Sequence, residues 1–227
     1  MQSKLKATVR GLIVCSVLVL VTACGTGVRN VEDPASRQTS CGVFSVLSSG
    51  EPLGTAFSTI ESGRSFLVSA AHVVKGVDSK RLSLRSICSK NDLSISDILF
   101  VPGNDLAILL ATSSGPLPGF TIRDTSPVWG ELIVVPNFGN LSKASVRLAG
   151  AEIPSSGRVI KTEGGQILFS LDIVQKGSSG APILDGRGQV LGLLTNRTLI
   201  EGTYAGVSLG IDGAALRDAL KRLPISR

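Results

Sequence analysis

Histidine is almost missing from this chain: 227 residues contain one, His72. With a single imidazole and no Cys-x-x-Cys spacing, a structural zinc site has no ligand set to draw on, and no metal or other cofactor is expected. Aromatic residues are 4% of the chain, with one tryptophan and one tyrosine. Trp129 and Tyr204 are too few to build a base-stacking platform. Basic residues are scattered without a block. The formal charge of +6 includes Lys4, Lys6 and Arg10 of the N-terminal leader and falls to +3 without those three. Nothing in that balance calls for a nucleic acid. Long apolar runs are also scarce, and the one between Gly11 and Thr22 is too short for a comfortable bilayer span.

That run has a basic flank before it and the small residues Val21-Thr22-Ala23 after it, so residues 1–23 read as a signal peptide. Cys24 follows at once. The pattern resembles a bacterial lipoprotein signal, which implies that Cys24 becomes the lipidated first residue of the mature chain; ordinary secretion is the alternative. Gly25 is not the aspartate associated with retention at the inner membrane, so an outer-membrane anchor on the periplasmic side or surface is expected. Residues 24–40 are polar, contain Pro34 and lack apolar periodicity, as a flexible tether does. Cys15 leaves with the signal, and Cys41 and Cys88 remain in an oxidising compartment. They are either disulfide-bonded or two buried thiols.

From residue 41 the chain changes character. Apolar runs of four to seven residues, rich in Val, Ile, Leu, Phe and Thr, are separated by Gly, Ser, Asn, Asp and Pro, the pattern of an all-β domain. Strands are predicted over 42–48, 54–60, 65–69, 81–86, 94–101 and 106–111. A second set is predicted over 131–136, 142–152, 158–162, 166–171, 181–184, 190–195 and 203–208. Two groups of about six strands, divided by the Gly/Pro-containing stretch 112–127, describe two packed antiparallel β-barrels, one over about 41–115 and one over about 125–210. One short helix is predicted over 212–223, with Asp212 as its cap and Ala215, Leu216, Ala219, Leu220 and Leu223 as its apolar stripe.

Three segments carry chemistry. Ser69-Ala70-Ala71-His72-Val73-Val74 offers an imidazole, Asn104-Asp105-Leu106-Ala107-Ile108-Leu109 a carboxylate, and Gly177-Ser178-Ser179-Gly180-Ala181-Pro182 a hydroxyl on a tight bend. A serine hydroxyl is a poor nucleophile until an adjacent base takes its proton, and the base needs an acceptor that holds its tautomer. Each segment alone has an ordinary structural reading. Their joint presence, in this order, is what points to acyl transfer.

In these segments the chain resembles the trypsin-like serine proteases, most closely their glutamate-specific and HtrA-like bacterial branches. The resemblance covers about Cys41 to Gly213. It implies the fold of two six-stranded barrels, His72 as general base, Asp105 as its orienting carboxylate, Ser179 as nucleophile, and the amides of Gly177 and Ser179 as an oxyanion hole. It also implies a protein or peptide substrate; a monomer is expected. Ser178 stands where the digestive branch has an aspartate that pairs with a newly cut N-terminus, which argues against that mode of activation. Ala181 stands in place of the usual second glycine, where its methyl either fits or crowds the site.

For the substrate cleft the resemblance points to Ile173 at the pocket floor, Thr195 and Arg197 on one wall and Gly206 on the other. Thr195 matches a serine whose hydroxyl commonly supports the catalytic carboxylate. No aspartate at the floor is available to a Lys or Arg side chain, so an uncharged, small or medium apolar residue is the expected preference. Arg197 replaces a common glycine and would point away, narrow the cleft or recruit an acidic side chain. No PDZ-like extension is recognisable after the helix, so HtrA assembly does not carry over. The competing reading is a weak or inactive protease-like lipoprotein that binds proteins without cutting them.

Overall fold

Tight two-residue turns set the strand pairing. Ser49-Gly50, Ser62-Gly63, Gly164-Gly165 and Glu201-Gly202 all have positive φ at both positions, as hairpin turns that match the twist of their strands require. A computed structural model describes residues 41–89, 91–112, 117–138 and 153–223. The signal, Cys24, the tether and the strand expected over 142–152 lie outside the described residues.

Six strands form the first barrel: β1 (Val43–Ser48), β2 (Glu51–Glu61), β3 (Arg64–Ala70), β4 (Leu82–Arg85), β5 (Leu93–Phe100) and β6 (Leu106–Ala111). They run in the order β1-β4-β5-β6-β3-β2 and close through β1 and β2. The two-residue β7 (Phe120–Thr121), inside the stretch read as a divider, adds to β2 in parallel. The second barrel closes in the order β10-β13-β12-β11-β8-β9. Its strands are β8 (Leu132–Asn137), β9 (Ile153–Glu163), β10 (Gln166–Leu171), β11 (Pro182–Leu184), β12 (Val190–Ile200) and β13 (Thr203–Asp212).

Three strands differ most from expectation. Strand β9 is unbroken through Pro154-Ser155-Ser156-Gly157, which read as a loop. Strands β12 and β13 outrun their predicted ends, and Asn196 to Ile200 is an exposed continuation of β12.

One apolar cluster, including Val46, Phe57, Val68, Leu84 and Ile108, fills the first barrel and reaches Phe138, Leu193 and Ile211 of the second. The interior of the second barrel holds another, with Ile133, Ile167, Phe169, Ile183 and Leu191. The helix Gly213–Lys221 is capped as predicted: Asp212 accepts the Ala215 amide at 2.7 Å. Its Leu216 and Leu220 join the first cluster, although the helix follows the second barrel in the chain. Its Arg217 donates to the Ile122 carbonyl at 2.8 Å and pairs with Glu61 at 3.3 Å and Asp124 at 3.0 Å.

Arg123, next to Ile122 in the connection between barrels, pairs with Glu131 and with Asp185. The Cys41–Cys88 pair is a disulfide, with Cα atoms 5.2 Å apart, so the alternative of two free thiols is set aside.

Candidate active site

Strand register brings the imidazole and the carboxylate together. In the β3–β6 pair, Ala70 faces Leu106, so the next residue on each side, Ala71 and Asp105, also meet. The Ala71 amide donates to the Asp105 carbonyl at 3.1 Å. A one-turn helix, Ala71–Val74, starts there and is fixed by the buried Val73 and Val74. His72 thus sits directly over Asp105. One carboxylate oxygen, Oδ1, accepts the His72 backbone amide at 2.9 Å, and the other, Oδ2, lies 2.6 Å from His72 Nδ1. Held at two points, the carboxylate fixes the ring and directs its other nitrogen away. The His72 side chain is 44% exposed and that of Asp105 32%. The imidazole is open to a ligand.

The hydroxyl comes from the second barrel. Pro182 faces Leu193 in the β11–β12 pair, and two further bonds, Gly180 N–H to Leu194 O at 2.8 Å and Leu194 N–H to Ala181 O at 2.9 Å, continue the pairing toward Ser179. Ser179 Oγ donates to the Thr195 carbonyl at 3.0 Å. In this state the hydroxyl is committed to strand β12. The backbone of Ser179 leans on the first barrel, where the Thr55 amide donates to its carbonyl at 2.9 Å. Behind it, Gly180 packs so tightly that a Cβ would lie 3.1 Å from the Ala70 nitrogen. The nucleophile candidate and the start of the His72 helix are therefore neighbours across the barrel interface.

The bend before Ser179 depends on Gly177, whose φ of 98° is unfavourable for any residue with a side chain. Among the described residues, the amides of Gly177 and Ser179 donate to no protein group, whereas those of Ser178, Gly180 and Ala181 are all used. Ser178 is buried. Its hydroxyl donates to Asn137 Oδ1 at 2.9 Å and accepts the Gln175 amide at 3.3 Å. An uncharged partner thus occupies the place where an ion pair would otherwise stand. The Ala181 methyl is fully buried within the core of the second barrel. It fills space in the core and does not crowd the site.

Thr195 departs from the resemblance. A register shift between Leu194 and Asn196 leaves Thr195 as the extra residue of a bulge, and its hydroxyl donates to the Leu209 carbonyl at 3.0 Å. It gives no support to Asp105. Its carbonyl is the part that meets Ser179. Arg197 does not point away, since its Nη1 donates to the Val174 carbonyl at 3.3 Å, crossing to the segment that carries Ile173. Ile173 is 46% exposed. Gly206 has a φ of 76°, with nothing within 4 Å of a Cβ built there. Among the described residues no group of three or more His, Cys, Asp or Glu could hold a metal ion.

Comparison with known proteins decides the family. A model of the trypsin-like peptidase domain matches residues 54–193, more than half of the chain. The chain belongs to the trypsin-like peptidase family. Membership implies a serine-type peptidase acting on protein or peptide substrates. The solved structure of the Rv3671c protease from M. tuberculosis in its active form superposes with a TM-score of 0.67 at 20% identity, covering 87% of each chain. The HtrA-type protease AlgW, solved with a decapeptide, superposes at 0.61 with 16% identity, over 83% of this chain and 67% of its own. At those identities the likeness is one of fold. No curated protein matches the chain by sequence.

Sequence reasoning missed Thr55 and Asn137. The available signal was a strand buried on both faces that still carries hydroxyls, since Thr55, Ser58 and Thr59 are all fully buried in β2 and each must find a partner there.

Proposed function

We propose that this trypsin-like peptidase is a serine endopeptidase that works through an acyl-enzyme on Ser179. The observation that carries the reading is the two-point hold of Asp105 on His72, through the ring at 2.6 Å and the backbone amide at 2.9 Å. Such a carboxylate keeps the proton on Nδ1 and leaves Nε2 as the acceptor. His72 takes the hydroxyl proton as Ser179 Oγ bonds to the substrate carbonyl carbon, and the carbonyl π electrons move onto oxygen. The unused amides of Gly177 and Ser179 receive that oxyanion. The C–N bond then breaks, His72 returns the proton to the leaving amine, and water repeats the sequence to free Ser179.

In the cleft, the substrate backbone N–H takes over the Thr195 carbonyl and so releases the Ser179 hydroxyl. Ile173, Arg197 and Gly206 line the pocket for the side chain before the cut. The lipoprotein-like leader supports an extracytoplasmic protein anchored through lipid on Cys24, and a monomer is the proposed state.

A fluorophosphonate probe tests the reading. The wild-type protein is expected to be labelled, with labelling lost in both Ser179→Ala and His72→Ala proteins. A second reading, a domain that binds proteins without cutting, draws on the commitment of Ser179 Oγ to Thr195 and on the Arg197 bridge to Val174. Absence of labelling, with no cleavage across a diverse peptide library, would favour it.

A further inference from the structure

We propose that Thr55, in the first barrel, is a positioning residue for the oxyanion turn carried by the second, an inference that rests on the serine peptidase reading above. Thr55 is fully buried, and every polar atom it owns is engaged, the hydroxyl and the amide across the barrel interface. Its hydroxyl donates to the Gly177 carbonyl at 2.8 Å and accepts the Phe138 amide at 3.2 Å. Its backbone N–H donates to the Ser179 carbonyl at 2.9 Å. Its own carbonyl accepts the Ser69 hydroxyl at 2.7 Å, which fixes Thr55 to the strand that leads into His72.

The pattern of used and unused groups gives Thr55 its role. The turn has two carbonyls, Gly177 O and Ser179 O, that both point at Thr55, and two amides, those of Gly177 and Ser179, that donate to nothing among the described residues. Anchoring the carbonyls on one side leaves the amides for a ligand on the other. Gly177 is the weak point of this turn, because a residue without Cβ can rotate its peptide planes at little steric cost. The Thr55 hydroxyl denies it that rotation. Without the hydroxyl, the Gly177 carbonyl and the Phe138 amide both lose a partner in a buried place, and rotation of the turn becomes the way to recover one.

A second tether acts on the same turn from within the second barrel, where Asn137 accepts the Ser178 hydroxyl. Asn137 adjoins Phe138, the donor to Thr55. The oxyanion turn is therefore held by uncharged hydrogen bonds to both barrels.

The test compares T55S with T55A, both of which lack the methyl, so that they differ in the hydroxyl alone; T55V, which keeps the shape, is the third variant. Relative to T55S, T55A and T55V should lose about 10- to 100-fold in kcat with KM moving less than about threefold, somewhat less than removal of an oxyanion donor itself. Affinity for a peptide boronate, which mimics the tetrahedral state, should fall in parallel, while affinity for a product peptide stays constant. In the free proteins, amide hydrogen exchange over residues 175–181 should rise about tenfold in T55A against T55S, with the first barrel unchanged.

Equal kcat in T55S and T55A, equal loss of boronate and product affinity, or unchanged exchange at 175–181 would each overturn the proposal. If T55V fails to fold, the T55S and T55A pair still decides. If the wild-type protein is not labelled by a fluorophosphonate, the peptidase reading fails, and the exchange measurement alone judges the clamp.

Discussion

Gly180 has no room for a side chain beside Thr55: a Cβ built on it would lie 2.0 Å from the Thr55 carbonyl oxygen and 2.5 Å from Ser69 Oγ. Its φ of 89° adds strain for any other residue. The barrels meet at this glycine. Gly180→Ala is expected to cost about 3 kcal/mol or more, because neither backbone can yield without parting the interface. Gly186→Ala is the control, with nothing within 4 Å of its Cβ, and should stay within about 0.5 kcal/mol. Urea unfolding of the two variants checks the contrast.

The base role proposed for His72 rests on the carboxylate beneath the ring, and the sequence holds no second histidine to stand in for it. Asp105→Asn keeps the shape but offers the ring a donor, and should lower kcat about 10,000-fold while the fold survives.

Acid should weaken the fold, through the connection between barrels. Hydrogen bonds from the Arg123 side chain hold the Glu131 carboxyl below the ordinary carboxylate range; burial opposes this, and the Val128 amide adds to it. The sign follows from the direction. A carboxyl that ionises more readily when folded stabilises the protein above the ordinary glutamate value of about 4.3, and that contribution drains as pH falls through the lowered folded value. Glu131→Gln should therefore cost about 2 kcal/mol at neutral pH, between the worth of an exposed and a buried pair, and flatten the loss of stability on the acid side. Urea midpoints at pH 7, 4 and 3 read both effects.

The disulfide joins the start of the first barrel to the turn after β4, closing a separation of 47 residues. In the chain-entropy account a loop of that length is worth about 4 kcal/mol. Reduction, or replacement of both Cys41 and Cys88 by Ser, should lower the unfolding free energy by a comparable amount, with intact mass reporting the redox state. An equal midpoint with and without the bond would deny it a stabilising role.

Local pattern made some elements plain. Strand Leu106–Ala111 begins and ends with a continuous apolar run and Gln166–Leu171 with an apolar alternation, and Asp212 caps its helix because a short acceptor preceded an amphipathic stripe. The start of β9, before Arg158, was illegible for the opposite reason. Pro154-Ser155-Ser156-Gly157 carries turn residues, yet Gly157 is there because a Cβ would come within 1.8 Å of the Ser170 carbonyl. Close approach of β10 selects the glycine.

The site divides in the same way. His72, Asp105 and Ser179 advertise themselves by side-chain chemistry, while Thr55 and Asn137 act on residues about 120 and 40 positions away and gain meaning only once the barrels dock. Thr195 shows the limit of resemblance, because its hydroxyl is aimed by a bulge that no motif encodes.

The C-terminal helix reaches back to the first barrel, with Leu216 and Leu220 in its core and Arg217 on Glu61. In the order of synthesis this is the last described element to emerge, yet it fastens strands made at the beginning. A growing chain can pair β1 to β6 early and still lack the clasp over that barrel until residues 213–221 arrive. Packing of the first barrel is thereby tied to residues 213–221, which follow the second barrel in the sequence.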